Sequence, residues 1–124
     1  MTAPILTIRI PMRATSINRW SRMHWGERKT HRNNVFMLVR SSFPFEVINC
    51  AGWPAQTPVS LRITAYMRPP VLDADNVTLK DVVDSLKGWI VRDDDARFVT
   101  GVTPVVKRNS EDIVVVEVFE ETQL

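Results

Sequence analysis

The sequence predicts a small α/β domain of the α+β kind: a mixed β-sheet with two main helices packed on it, in the order β-α-β-α-β-β. Three patterns predict it. Apolar and polar residues alternate with period two near the start, middle and end of the chain, as strands require. Apolar residues take a helical spacing after Val77. Proline- and glycine-bearing stretches separate these segments. With 124 residues, 44% hydrophobic and 24% charged, residues 1–124 suit one domain around one core. That composition favours neither a disordered nor a fibrous chain.

The elements follow in order. "PILTIRIPM" alternates over Ile5–Ile10 and is stopped by Pro11, which cannot donate to a ladder. The basic, Trp-bearing stretch "TSINRWSRMHWGERKTHRNN" runs into apolar "VFMLVR", predicting a loop and then a helix over about Glu27–Ser41. "FPFEVINCAGWPAQTP" has three prolines, a glycine and no regular period, so it reads as the main surface connection. "VSLRITAYMRP" puts Val59, Leu61, Ile63, Ala65 and Met67 on one face of a strand. Pro69 and Pro70 end it. Leu79, Val82, Val83 and Leu86 fall at i, i+3, i+4 and i+7, one stripe of a helix beginning near Asn76 and closed by Gly88. "FVTGVTPVVKRNSEDIVVVEVFEE" then reads as strand, turn and strand.

No apolar run approaches the roughly 20 residues of a membrane-spanning helix, so no membrane partner is expected. The N-terminal "MTAPILTIRIPMR" lacks a basic start and apolar signal core, and the lone Cys50 has no partner for an internal disulfide. A cytoplasmic location is the expectation. The net charge of +2 hides a division. Met1–Arg68 carries ten Lys/Arg against two Asp/Glu, whereas Pro69–Leu124 carries six against twelve. A basic half suits a polyanion such as nucleic acid, although opposite charges also make an ordinary solvated surface.

The acids concentrate in "VLDADNVTLKDVVDSLKGWIVRDDDARFV". Asp73 and Asp75 lie two apart after a strand, where period two would aim both carboxylates one way. Asp75 or Asn76 also suits the start of the next helix, as a cap and as negative charge at its positive end. Lys80 and Asp84 stand one helical turn apart and suit a surface pair contributing about 0.2–0.5 kcal/mol. Asp93, Asp94 and Asp95 repel one another unless solvated, paired or bound to metal. Together, the same-side pair, the lysine and a further acid are the parts of a carboxylate Mg²⁺ site, with Mn²⁺ as the alternative ion.

Other sites fit less well. Asp73, Asp75 and Asp84 match positions 1, 3 and 12 of a calcium loop, but Thr78 stands where its glycine is needed. His24 and His31 have no cysteine nearby to complete a zinc set. No phosphate-binding glycine loop or Ser/His/Asp spacing is present.

"DADN…K…D.L…G…DDDARFV", preceded by a strand and proline, resembles the RusA family of Holliday junction resolvases, and "INRWSRMHWGERKTHRNNV" is similar to that family's Asn- and Arg-rich opening segment. The likeness spans about Ile5–Phe119, and the acidic motif is its specific part. It implies that Asp73 and Asp75 are catalytic, Mg²⁺-binding acids and that Lys80 is the essential lysine. Asp84 matches a helix acid of less defined role. The third catalytic acid and metal ligand is Asp95 when "DDARFV" is matched downstream, and Asp94 when the count runs forward from Gly88; Asp95 is preferred. Lys80 stands one residue further from Asp73 than in the family pattern.

The resemblance further implies a homodimer that cuts a four-way DNA junction symmetrically, in a bacterial, phage or prophage setting. DNA contacts are expected from Asn18, Arg19, Arg22, Arg28, Lys29 and Arg32, with Arg68 beside them. Trp20 and Trp25 suit stacking on an unpaired base, or packing in the core.

Overall fold

The predicted alternations build the sheet. A computed structural model describes residues 3–49 and 52–121; Cys50 lies outside the described residues. Strands β1 (Leu6–Ile10), β3 (Val59–Met67), β5 (Val99–Arg108) and β6 (Ile113–Glu120) form a mixed sheet in the order β1-β6-β3-β5. β6 runs antiparallel to both β1 and β3, and β5 runs parallel to β3. The register lines up Leu6, Val118 and Leu61, then Ile8, Val116 and Ile63, then Ile10, Val114 and Ala65. These rows are buried, because residues directly opposite one another share a face. The other face is largely polar: Thr7, Glu117 and Arg62 align across it, and Arg62 donates to both carboxylate oxygens of Glu117.

The helices cover the apolar rows. Helix α2 (Trp25–Ser41) supplies Val35 and Val39, and α4 (Lys80–Ser85) supplies Val82, with Leu86 just beyond it; all belong to the same core. Each such side chain contributes about 1.5–3 kcal/mol by leaving water. α2 and α4 also pack against each other. The main elements therefore occur as predicted, β1, α2, β3, α4, β5, β6.

Four short elements were not predicted: β2 (Thr15–Ser16), α1 (Ile17–Arg22), α3 (Phe45–Ile48) and β4 (Val77–Thr78). The helix expected from Asn76 begins instead at Lys80. The reason is that β4 pairs with β2, Thr15 opposite Thr78 and Ser16 opposite Val77, so this backbone is committed to a ladder. Asn76 closes a 3-10 turn, Ala74–Asn76, rather than capping α4. The connection read as irregular contains the single turn α3, formed because Val47 reaches the core. Gly88 has φ +79°, a conformation other residues rarely adopt, and opens the turn whose N–H bonds to the Val91 carbonyl.

Candidate nucleic-acid groove and acidic clusters

Helix α1 has no buried residue, so polar contacts must fix it. Ser16 caps its first turn by accepting from the Arg19 N–H at 3.0 Å. Arg28 of α2 holds its other end: Nε donates to the Trp20 carbonyl at 3.3 Å and Nη2 to the Ser21 carbonyl at 3.2 Å. The same guanidinium lies 4.3 Å from the Trp20 ring centroid. The Asn18 N–H reaches Asn76 Oδ1 at 3.4 Å, tying the basic segment to the end of the acidic turn. Arg28 thus spends much of its donor capacity as a strut between α1 and α2. Arg19 and Arg22 are exposed on α1.

Between α2 and α4 runs a groove of about 430 Å³. Trp20, Trp25, Arg28, Lys29 and Arg32 form its basic, aromatic side. Lys80, Asp81 and Asp84 line it from α4. The basic and acidic parts of the chain, distant in sequence, thus meet in one groove. Arg68 is elsewhere: its Nη2 pairs with Asp112 at 3.3 Å, beside Arg13, which bonds Asp112 at 3.1 Å and also reaches the Pro70 carbonyl. The backbone N–H of Arg68, then its side chain and that of Arg13, hold the Asp112 carboxyl below the usual carboxylate range.

The acids fall into separate groups. Asp73 and Asp75 are exposed and, among the described residues, their carboxylates make no hydrogen bond or ion pair. Asp75 lies within the 3-10 turn and Asp73 just before it, so the period-two alignment expected for the pair does not apply. Asp84 is buried and accepts Lys80 Nζ at 3.4 Å; its other oxygen stands 3.6 Å from Lys87 Nζ. Lys87 also meets Asp94 at 3.2 Å and Asp93 at 3.9 Å. Its hydrogen bond draws the Asp94 carboxyl below the ordinary carboxylate value and raises the lysine. Asp95 is engaged by Arg97, whose Nη2 donates at 2.9 Å and whose backbone N–H donates to Oδ1, also at 2.9 Å. That pairing lowers the Asp95 carboxyl.

Chain topology places these acids along one crossover. Because β3 and β5 are parallel, Val59 stands opposite Val99 and Met67 opposite Arg108. The chain leaves β3 at one end of the pair and must return to the other end to begin β5. Asp73 and Asp75 follow the exit; Asp93–Asp95 precede the return. Among the described residues, no three His, Cys, Asp or Glu side chains are gathered to hold a metal ion. In the folded chain Asp73 and Asp75 have open carboxylates, while Asp94 and Asp95 are engaged by Lys87 and Arg97. The donors remain of the kind Mg²⁺ prefers, and that ion can be held by one or two carboxylates together with substrate phosphates.

Sequence reasoning missed Lys87, which gathers three acids, and the cluster of Thr15, His31 and Asp81. His31 Nδ1 lies 2.9 Å from Asp81 Oδ2, and Nε2 lies 2.8 Å from Thr15 Oγ1. An ionised Asp81 can only accept, so Nδ1–H donates to it; Nε2 accepts from the Thr15 hydroxyl when the ring is neutral and donates to it when the ring is protonated. The only hint was that Asp81 adjoins Lys80 on a predicted helix. No family model matches the chain, and no curated protein matches it. Among the described residues, no helix is long and apolar enough to cross a membrane.

Proposed function

We propose that the chain is a Mg²⁺-dependent, structure-specific endodeoxyribonuclease of RusA type, acting on four-way junctions and other branched DNA as a homodimer in the cytoplasm. The observation that carries this reading is the shared groove: Arg28, Lys29 and Arg32 of α2 line it together with Lys80 and Asp84 of α4. Lys29 and Arg32 bind phosphates and so position the backbone. Lys80, 63% exposed in its side chain, neutralises charge developing on a phosphate in the groove. Asp73 and Asp75, with open carboxylates, are the residues that would hold Mg²⁺, or Mn²⁺ in its place. For Asp94 or Asp95 to join them, it would have to leave Lys87 or Arg97 and the loop before β5 would have to move toward the exit from β3; otherwise waters and substrate phosphates would complete the shell. The chemistry such an ion supplies is polarisation of the phosphodiester and activation of a bound water. A twofold junction needs two equivalent sites, which a C2 dimer provides.

A second reading is a junction-binding protein that does not cut. It is favoured by the engagement of Asp84, Asp94 and Asp95 with Lys80, Lys87 and Arg97. Asp75→Asn separates the two. A nuclease loses cleavage of the junction and keeps its affinity, whereas a binder shows no Mg²⁺-dependent cleavage to lose and the same affinity in both forms.

A further inference from the structure

Trp25 is 80% exposed, although an indole is among the side chains that gain most from burial. Among the described residues nothing buries it, yet it stands at the groove, with Lys29 Nζ 5.6 Å from its ring centroid. Trp20 differs. It is half-buried and one face is closed by Arg28, which is itself fixed to the Trp20 and Ser21 carbonyls. One indole is thus a fixed wall and the other an open platform.

We propose that this groove binds one unpaired nucleotide of a DNA strand, with its base stacked on Trp25 and its phosphate held by Lys29 and Arg32. The proposal rests on the nucleic-acid reading above and adds which part of the DNA the groove takes. Several observations support it. The volume of about 430 Å³ lies in the range of small-ligand pockets, the scale of one nucleotide. Among the described residues, Lys29 and Arg32 make no hydrogen bond or ion pair with the protein, and Arg32 rests on the Phe36 ring at 4.5 Å. Of the acids on the facing wall, Asp84 is compensated by Lys80 and Lys87, and Asp81 is turned to a hydrogen bond with His31, so they oppose a phosphate weakly. A branch point supplies a base that is least costly to unstack. An aromatic platform accepts any base, because every base has a π-face.

The test uses the full chain and fluorescently labelled 12-mers at low salt, followed by anisotropy: oligo(dT) and an abasic strand of equal length and charge. Wild type is expected to bind oligo(dT) about fivefold to 150-fold more tightly than the abasic strand, the range that stacking of one base supports. Trp25→Ala is expected to remove that difference while leaving abasic affinity unchanged; the site is exposed, and circular dichroism confirms folding. Trp25→Phe retains part of it. Equal binding of both strands by wild type, no binding of either, or an unchanged preference in Trp25→Ala overturns the proposal. Failure of the nuclease reading looks different: a junction left intact in Mg²⁺ while the oligo(dT) preference persists.

Discussion

His31 Nδ1 stands 2.9 Å from Asp81 Oδ2, joining the middle of the basic helix α2 to the first turn of α4. Both side chains are largely buried, 19% and 10% exposed, so this contact fixes one groove wall against the other. His31→Ala leaves a buried carboxylate without its imidazole partner and is expected to cost about 1–3 kcal/mol. Urea unfolding measures it. In a double-mutant cycle with Asp81→Ala, the two losses should fall short of additivity, because each removes the same contact. Unchanged stability in His31→Ala would contradict this role.

Lys29 and Arg32 should act through charge. Replacing either with Ala is expected to weaken binding of all DNA sequences alike and to reduce the slope of log K against log salt by about 0.7, the value for a contact to an unpaired strand. Arg68→Ala should change that slope less, since Arg68 is paired with Asp112 away from the groove. Fluorescence anisotropy at several salt concentrations checks both.

Acid should destabilise the protein in a defined direction. Asp94, Asp95 and Asp112 all have carboxyls held below their ordinary value, by Lys87, by Arg97 and by the Arg68 backbone N–H respectively. A depressed folded-state value means that the stabilisation is present above the unfolded value, about 4, and is lost as pH falls through the lower folded values. Asp112→Asn should flatten part of this loss. Added salt should weaken the Lys87 and Arg97 contributions, because these pairs are exposed. Thermal unfolding between about pH 6 and 2.5 reads each effect.

Leu86 anchors the end of the short helix α4 and is fully buried. Leu86→Ala is expected to cost about 2–5 kcal/mol in denaturant unfolding. Val102, on edge strand β5 and 39% exposed, provides the contrast, and Val102→Thr should change stability by less than about 0.5 kcal/mol.

Strands β1 and β3 were legible because one face is buried and the other mostly polar, which writes a period of two into the sequence, and β6 was legible from its run of β-branched residues. Helix α4 was legible from Val82 and Leu86 but not at its start, since a two-residue ladder between Thr15–Ser16 and Val77–Thr78 leaves no periodic mark. The groove was half legible. Its basic residues were named from composition and resemblance, but their meeting with Lys80 and Asp84 depends on how α2 packs against α4. The convergence of the acids was the least legible part. Spacing along the chain does not show that Lys87 would draw Asp93 and Asp94 toward itself, nor that Arg97 would engage Asp95.

The most direct measurement is incubation of a synthetic four-way junction with the full-length protein and Mg²⁺, with each strand end-labelled in turn and its nicks mapped. The account predicts paired nicks at symmetric positions on two opposing strands, absent when the ion is chelated. Binding of the junction with all four strands left intact across Mg²⁺ and Mn²⁺ concentrations would contradict it.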